Sequence, residues 1–207
     1  MANPKPGRAE LAAIYAGGVG KRMGGADKGA LTVDGQPLWK IVSTRLEPQA
    51  GGVAVLSHAP PDWFRSIPGG IWIADLPNRA GPAAGLLAGL RHLERELGRD
   101  ALLLTSPIDA PFLPLDLFEK LDGVRRSTKA PAVVAYHKGM THPVFGLWTA
   151  GCADDVAEAL KDERSLGRIA ERARAVECEG WVGSNPDPFM NINTPEDLAA
   201  AEQAVRN

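Results

Sequence analysis

The stretch richest in chemistry runs Ala16-Gly17-Gly18-Val19-Gly20-Lys21-Arg22-Met23-Gly24-Gly25-Ala26-Asp27-Lys28. Gly17, Gly18, Gly20, Gly24 and Gly25 let backbone N–H groups approach phosphate oxygens without obstruction by a Cβ. Lys21, Arg22 and Lys28 put positive charge into the same short stretch. A cation beside a phosphate contributes up to about 4 kcal/mol of Coulomb energy at an effective dielectric of about 20. A solvated surface turn is the plain alternative, but such turns seldom combine this many glycines with this many cations. Phosphate binding is therefore the expectation. Two commoner nucleotide loops fail: Lys21 and Lys28 are followed by Arg22 and Gly29 instead of Ser or Thr, and Met23 stands where a dinucleotide fingerprint needs its third glycine.

Two acids follow predicted strands. Asp109 lies in the stiff apolar loop Pro107 to Pro114, where a fixed carboxylate suits a hard cation. Asp75 comes directly after a short apolar run. Either could simply cap a turn or solvate the chain. Beside a polyphosphate loop, the pair points to one magnesium site and one contact to base or ribose. His142-Pro143 and Asn191-Ile192-Asn193-Thr194 are polar residues flanking apolar ones, and alone read as turns or caps. His58, His92 and His137 lack metal-type spacing, the five tryptophans show no stacking pattern, and Cys152 and Cys178 read as small buried residues.

The elements that must position these groups alternate. Leu11 to Tyr15, Val53 to Leu56, Ile71 to Ala74 and Ala101 to Thr105 suit strands buried on both faces. Pro37 to Leu46 and Ala83 to Leu97 suit helices, the second with Leu86, Leu87, Leu90, Leu93 and Leu97 on one face and Gly98 as a left-handed stop. Pro131 to Tyr136 and Pro143 to Trp148 are strands close enough to pair antiparallel; Asp154 to Leu160 and Leu166 to Ala173 read as helices and Ala175 to Cys178 as a late strand. Thr194 caps a last helix that starts at Pro195. The pattern predicts an α/β fold with a mostly parallel sheet, whose ligands lie outside the carboxyl ends of the strands.

Bulk properties exclude other classes. The 207 residues carry 44% hydrophobic and 23% charged side chains with a net charge of −2, ordinary for one globular domain and without the basic excess of a nucleic-acid binder. No apolar run approaches the roughly 20 residues that span a bilayer. Residues 1–10 read as a loose, polar leader without a signal-peptide core, and residues 11–207 as a single domain. A cytoplasmic protein without membrane or nucleic-acid partners is expected.

The chain then resembles the molybdenum cofactor guanylyltransferases over nearly its whole length. The matching segments come in that family's order: Tyr15-Ala16-Gly17-Gly18, Arg22-Met23-Gly24-Gly25-Ala26-Asp27-Lys28-Gly29, Gln36-Pro37-Leu38-Trp39, Gly81-Pro82-Ala83-Ala84-Gly85-Leu86, Asp109-Ala110-Pro111-Phe112-Leu113-Pro114, His142-Pro143-Val144-Phe145-Gly146-Leu147 and Asn191-Ile192-Asn193-Thr194-Pro195-Glu196-Asp197-Leu198. The resemblance implies a Rossmann-like three-layer α/β/α nucleotidyltransferase domain that uses GTP, Mg²⁺ and molybdopterin (or its molybdenum-loaded form), with other molybdenum cofactor assembly proteins as partners. It implies GTP contacts at Tyr15, Ala16, Gly17, Gly18, Lys28, Asp75 and Asp109, with Asp109 also on the metal. Lys28, Asp109 and Arg22 become the expected catalytic residues, and His142, Asn191 and Asn193 the expected molybdopterin contacts. In one departure, Leu56-Ser57-His58 stands where the family often has an asparagine, leaving Ser57 or His58 as substitutes.

The implied reaction is attack by a pterin phosphate oxygen on the α-phosphorus of GTP with loss of pyrophosphate. The phosphate nucleophile is already anionic, so no strong general base is required, and none is evident. Alternatives are transfer from CTP to the same pterin, transfer to a sugar or alcohol phosphate, and a non-catalytic nucleotide-binding module.

Overall fold

The computed structural model describes residues 7–17, 27–76 and 81–206. Along the chain come β1 (Leu11–Tyr15), β2 (Thr32–Val33), β3 (Gln36–Pro37), α1 (Leu38–Leu46), β4 (Val53–Ser57), β5 (Ile71–Ala74), α2 (Pro82–Leu97) and β6 (Leu102–Pro107). There follow α3 (Leu117–Thr128), β7 (Ala132–His137), β8 (Met140–Thr149), α4 (Ala153–Ala159), α5 (Leu166–Arg172), β9 (Val176–Cys178) and α6 (Pro195–Arg206). One sheet of seven strands has the order β5-β4-β1-β6-β8-β7-β9, and β2 and β3 form a separate antiparallel pair. Every pairing in the large sheet is parallel except the two made by β8, which runs against both β6 and β7. The expected mostly parallel α/β sheet, with an antiparallel pair late in the chain, is what forms.

Alternation along the strands divides the core. Ala13, Tyr15, Leu56 and Leu103 face α2, α4 and α5, while Ile14, Val55, Leu104 and Val133 face α1 and α3. Residues one apart in a strand point to opposite faces, so a continuously apolar strand requires helices on both sides. This gives three layers. A smaller cluster joins Val33 and Leu38 to Ile192 and Ala201, and so fastens the β2–β3 hairpin to α6.

Three expectations need correction. Only Ile73 of β5 is buried, because β5 is an edge strand with β4 as its single neighbour. Leu97 is 48% exposed, since it ends α2 at the rim of an open pocket it shares with Ile71 and Leu93. The loose leader does not extend through residue 10: Ala9 exchanges backbone hydrogen bonds with Gln49 and Gly51, and Glu10 accepts the N–H of Leu102 at 2.7 Å. Residues 1–6 lie outside the described residues. Helix α3 and the β2–β3 hairpin were not expected from the sequence. Among the described residues, no helix is long and apolar enough to cross a membrane.

Candidate active site

Side chains that the sequence marks as candidates gather at the edge where the parallel strands end. Asp109 stands two residues beyond β6, which continues to Pro107, further than the sequence pattern indicates. Its loop is gripped from several elements. Ile108 N–H donates to the Tyr15 carbonyl at 3.1 Å, and Ile192 N–H donates to the Asp109 carbonyl at 2.8 Å. Arg45 and Gln49, from the end of α1 and the turn after it, donate to the Leu113 and Pro114 carbonyls at 2.7 and 2.9 Å. The backbone at Asp109 is thus fixed before any ligand arrives.

Lys28 reaches this loop from a 3₁₀ turn, Lys28–Ala30. Its Nζ donates to Asp109 Oδ2 and to Asn193 Oδ1, both at 2.6 Å. Three residues separated by 81 and 165 positions in sequence therefore share one point. The other Asp109 oxygen, Oδ1, is buried without a partner.

Asn193 is held locally. Asp197 Oδ2 accepts the N–H groups of Asn193 and Thr194, both at 2.9 Å, and Thr194 Oγ1 accepts the Asp197 N–H at 3.2 Å. This is a reciprocal capping box at the start of α6. The Asn193 N–H draws the Asp197 carboxyl below its usual range, helped by Thr194 and the nearby Lys28 charge.

Asp75 lies across the edge, after β5. Its N–H donates to the Ser57 carbonyl at 3.1 Å, and its carboxylate is wedged between two glycines. A Cβ on Gly17 would come within 3.1 Å of Oδ2, and one on Gly85 within 3.0 Å of Oδ1. Asp75 Oδ1 has no partner, and burial pushes this carboxyl above its usual range while His58 pulls the other way. Ser57 is committed: its hydroxyl donates to the Ala59 carbonyl at 2.8 Å and accepts from Trp72 Nε1 at 3.2 Å. Of the two suggested substitutes for the family asparagine, His58 is the exposed one, next to Asp75.

Tyr15 turns its phenol into the core, where burial raises its pKa, so only its backbone and that of Ala16 and Gly17 lie near the strand end. His142 stacks on Phe189 with ring centroids 4.9 Å apart and leaves Nε2 buried without a partner; burial lowers its pKa. Asn191 Oδ1 is likewise buried and unpartnered, two residues after Phe189. Because β8 runs antiparallel to β6, His142 near its start belongs to the same sheet edge as Asp109. Gly18 and Arg22 lie outside the described residues.

Sequence reasoning missed Asp27, Trp63, Phe189 and Asp197. Asp197 was marked by the Thr-x-x-Asp spacing of a capping box, and Asp27 by its place before Lys28. Nothing in the sequence marked Trp63 or Phe189. Among the described residues, no three His, Cys, Asp or Glu side chains gather in a group that could hold a metal.

An α/β/α sheet thus gathers unpartnered carboxylate oxygens and a tethered lysine at its carboxyl edge, where sheets of this kind bind ligands. The chain belongs to the MobA-like NTP transferase family, whose sequence profile matches residues 12–179. It is 37% identical to a molybdenum cofactor guanylyltransferase of Rhodopseudomonas palustris over 204 residues, covering 98% of this chain and 94% of the relative. It is 39% identical to one from Cereibacter sphaeroides, covering 93% and 95%. The fold is shared with molybdopterin-guanine dinucleotide biosynthesis protein A of Archaeoglobus fulgidus, at a TM-score of 0.75 and 24% identity over 95% of this chain and 98% of that one. It is shared too with 4-diphosphocytidyl-2C-methyl-D-erythritol synthase of Anaerococcus prevotii, at a TM-score of 0.73 and 15% identity over 97% of each chain.

Proposed function

We propose that the protein transfers GMP from GTP to the phosphate of molybdopterin and releases pyrophosphate. The observation that carries this reading is Lys28 Nζ held between Asp109 and Asn193. An ammonium has three N–H donors, and two are occupied, which leaves the third for a phosphate oxygen. The curated relatives, named for guanylyl transfer to the molybdenum cofactor, supply the nucleotide and the acceptor of the proposal.

A phosphate oxygen of the pterin attacks the α-phosphorus of GTP, a new P–O bond forms, and the bond to the β-phosphate oxygen breaks. Since the nucleophile is already an anion, the protein's work is alignment and stabilisation of charge. Lys28 neutralises the triphosphate, and Gly17 lets the chain approach it closely. The partner-free oxygen of Asp75 accepts from the N–H donors of guanine or from a ribose hydroxyl. On the acceptor side, His142, Asn191 and Asn193 present polar atoms to the pterin, with the His142–Phe189 stack as an aromatic wall.

Magnesium fits the site through Asp109 Oδ1, a buried oxygen without a partner. One carboxylate plus substrate phosphates and water is a usual Mg²⁺ arrangement. When bound, the ion would draw charge from the phosphates as a Lewis acid.

The test is pyrophosphate release measured with GTP, CTP, ATP and UTP, each with and without molybdopterin. Release with GTP and pterin together is the expected result. A preference for CTP would reassign the nucleotide, and release independent of the pterin would reassign the acceptor.

A further inference from the structure

Lys28 is the first residue of its turn, so where its ammonium reaches depends on where that turn is anchored. The anchor is Asp27. Its Oδ1 accepts the Gly29 N–H at 2.9 Å, which caps the turn, and its Oδ2 accepts the indole N–H of Trp63 at 2.8 Å. Trp63 belongs to a 3₁₀ turn after β4, Asp62–Ser66, and is 7% exposed. Its ring lies parallel to that of Trp39 on α1, with centroids 6.3 Å apart and 3° between the planes. Gly29 presses on the same indole: a Cβ there would come within 2.5 Å of the ring. The hydrogen bond and the glycine contact both seat the turn on this one indole.

From this geometry we propose that Trp63 is a positioning residue for nucleotide binding, acting through Asp27 to fix the turn that presents Lys28. The inference rests on the role given to Lys28 above. A lysine stem has many rotamers, and a displaced anchor spreads the ammonium over positions that do not meet the triphosphate. A hydrogen bond to a charged group is worth enough for its loss to be read as a change of about tenfold.

The experiment is a double-mutant cycle on equilibrium binding of GTP, which stays measurable when turnover is lost. Trp63→Phe keeps an aromatic ring at this position but removes the N–H donor together with the indole atoms nearest Gly29. The expected result is GTP affinity about tenfold weaker, and no further loss when Trp63→Phe is added to Lys28→Ala. Asp27→Asn, which has one acceptor oxygen for two donors, gives the same pattern without touching the ring and serves if Trp63→Phe does not fold. Wild-type affinity in both variants overturns the proposal. So does an equal loss with and without Lys28, which marks a purely structural tryptophan. If Lys28→Ala itself binds GTP normally, the role assigned to Lys28 is what fails.

Discussion

Lys28 and Asn193 meet at the same point but are delivered by opposite means. Asn193 is set by a box closed within four residues, from its own N–H to Asp197. Lys28 is set by an indole 36 residues from its anchoring aspartate, and by a glycine pressed against that indole. The local device needs nothing beyond the start of α6. The distant one exists only after β4, the turn after it and α1 have packed together. One side of the site is therefore a property of the sequence, and the other a property of the fold.

Substitutions can break this contrast in order of size. Asp109→Ala, at the meeting point, is expected to lower turnover by roughly 10²-fold or more with an unchanged circular dichroism spectrum, as for loss of a group that stabilises transition-state charge. Near-normal turnover would remove Asp109 from the chemistry. Lys28→Ala is expected to weaken GTP binding and slow the chemical step, read as a raised KM and a lowered kcat in steady-state kinetics. Asp197→Ala removes the carboxylate half of the box, leaving the bond from the residue-197 N–H to Thr194 in place, and is expected to cost up to about 1 kcal/mol of stability, with a smaller effect on rate, seen by thermal melting and pyrophosphate release. A loss of rate matching that of Lys28→Ala would erase the distinction between the two devices.

Acid should separate two carboxylates that sit in opposite settings. The Asp75 pKa is raised by burial, so as the pH falls this group protonates before an ordinary aspartate does. Its protonation favours the fold but removes an acceptor from the nucleotide, so KM for GTP is expected to rise on mild acidification, and Asp75→Asn to flatten that rise. The Asp197 pKa is lowered, so the stability its box contributes is present above the usual carboxylate range and disappears only as the pH falls through the depressed value. Nucleotide binding should fail first on descent and the α6 cap last. Parallel profiles of KM and melting temperature against pH check the order.

How much was readable follows the same division. Strands β1 and β5 fall where their apolar runs place them, and the Thr194-Pro195 start of α6 is as expected. The carboxyl-edge rule pointed to Asp75 and Asp109 because it depends only on which residue follows a strand. Helix α3 escaped because its apolar positions, Leu117, Phe118, Leu121 and Val124, are followed by a wholly polar end, and Gly123 lowers the helix propensity of its middle. Strands β2 and β3, two residues each, are too short to show a period. Trp63 escaped for a different reason: a tryptophan in an irregular segment reads as packing until its N–H is seen to have a destination.

The cage around Asp75 sets a limit on side-chain length. Gly17 and Gly85 stand against its two oxygens so closely that a Cβ on either would come within 3.1 or 3.0 Å, and a glutamate, one methylene longer, would have to reach past these walls. Exchanging the two acids, the mildest change a chemist can make to such a group, should therefore be poorly tolerated at this position. Enlarging either flanking glycine should do similar harm from outside.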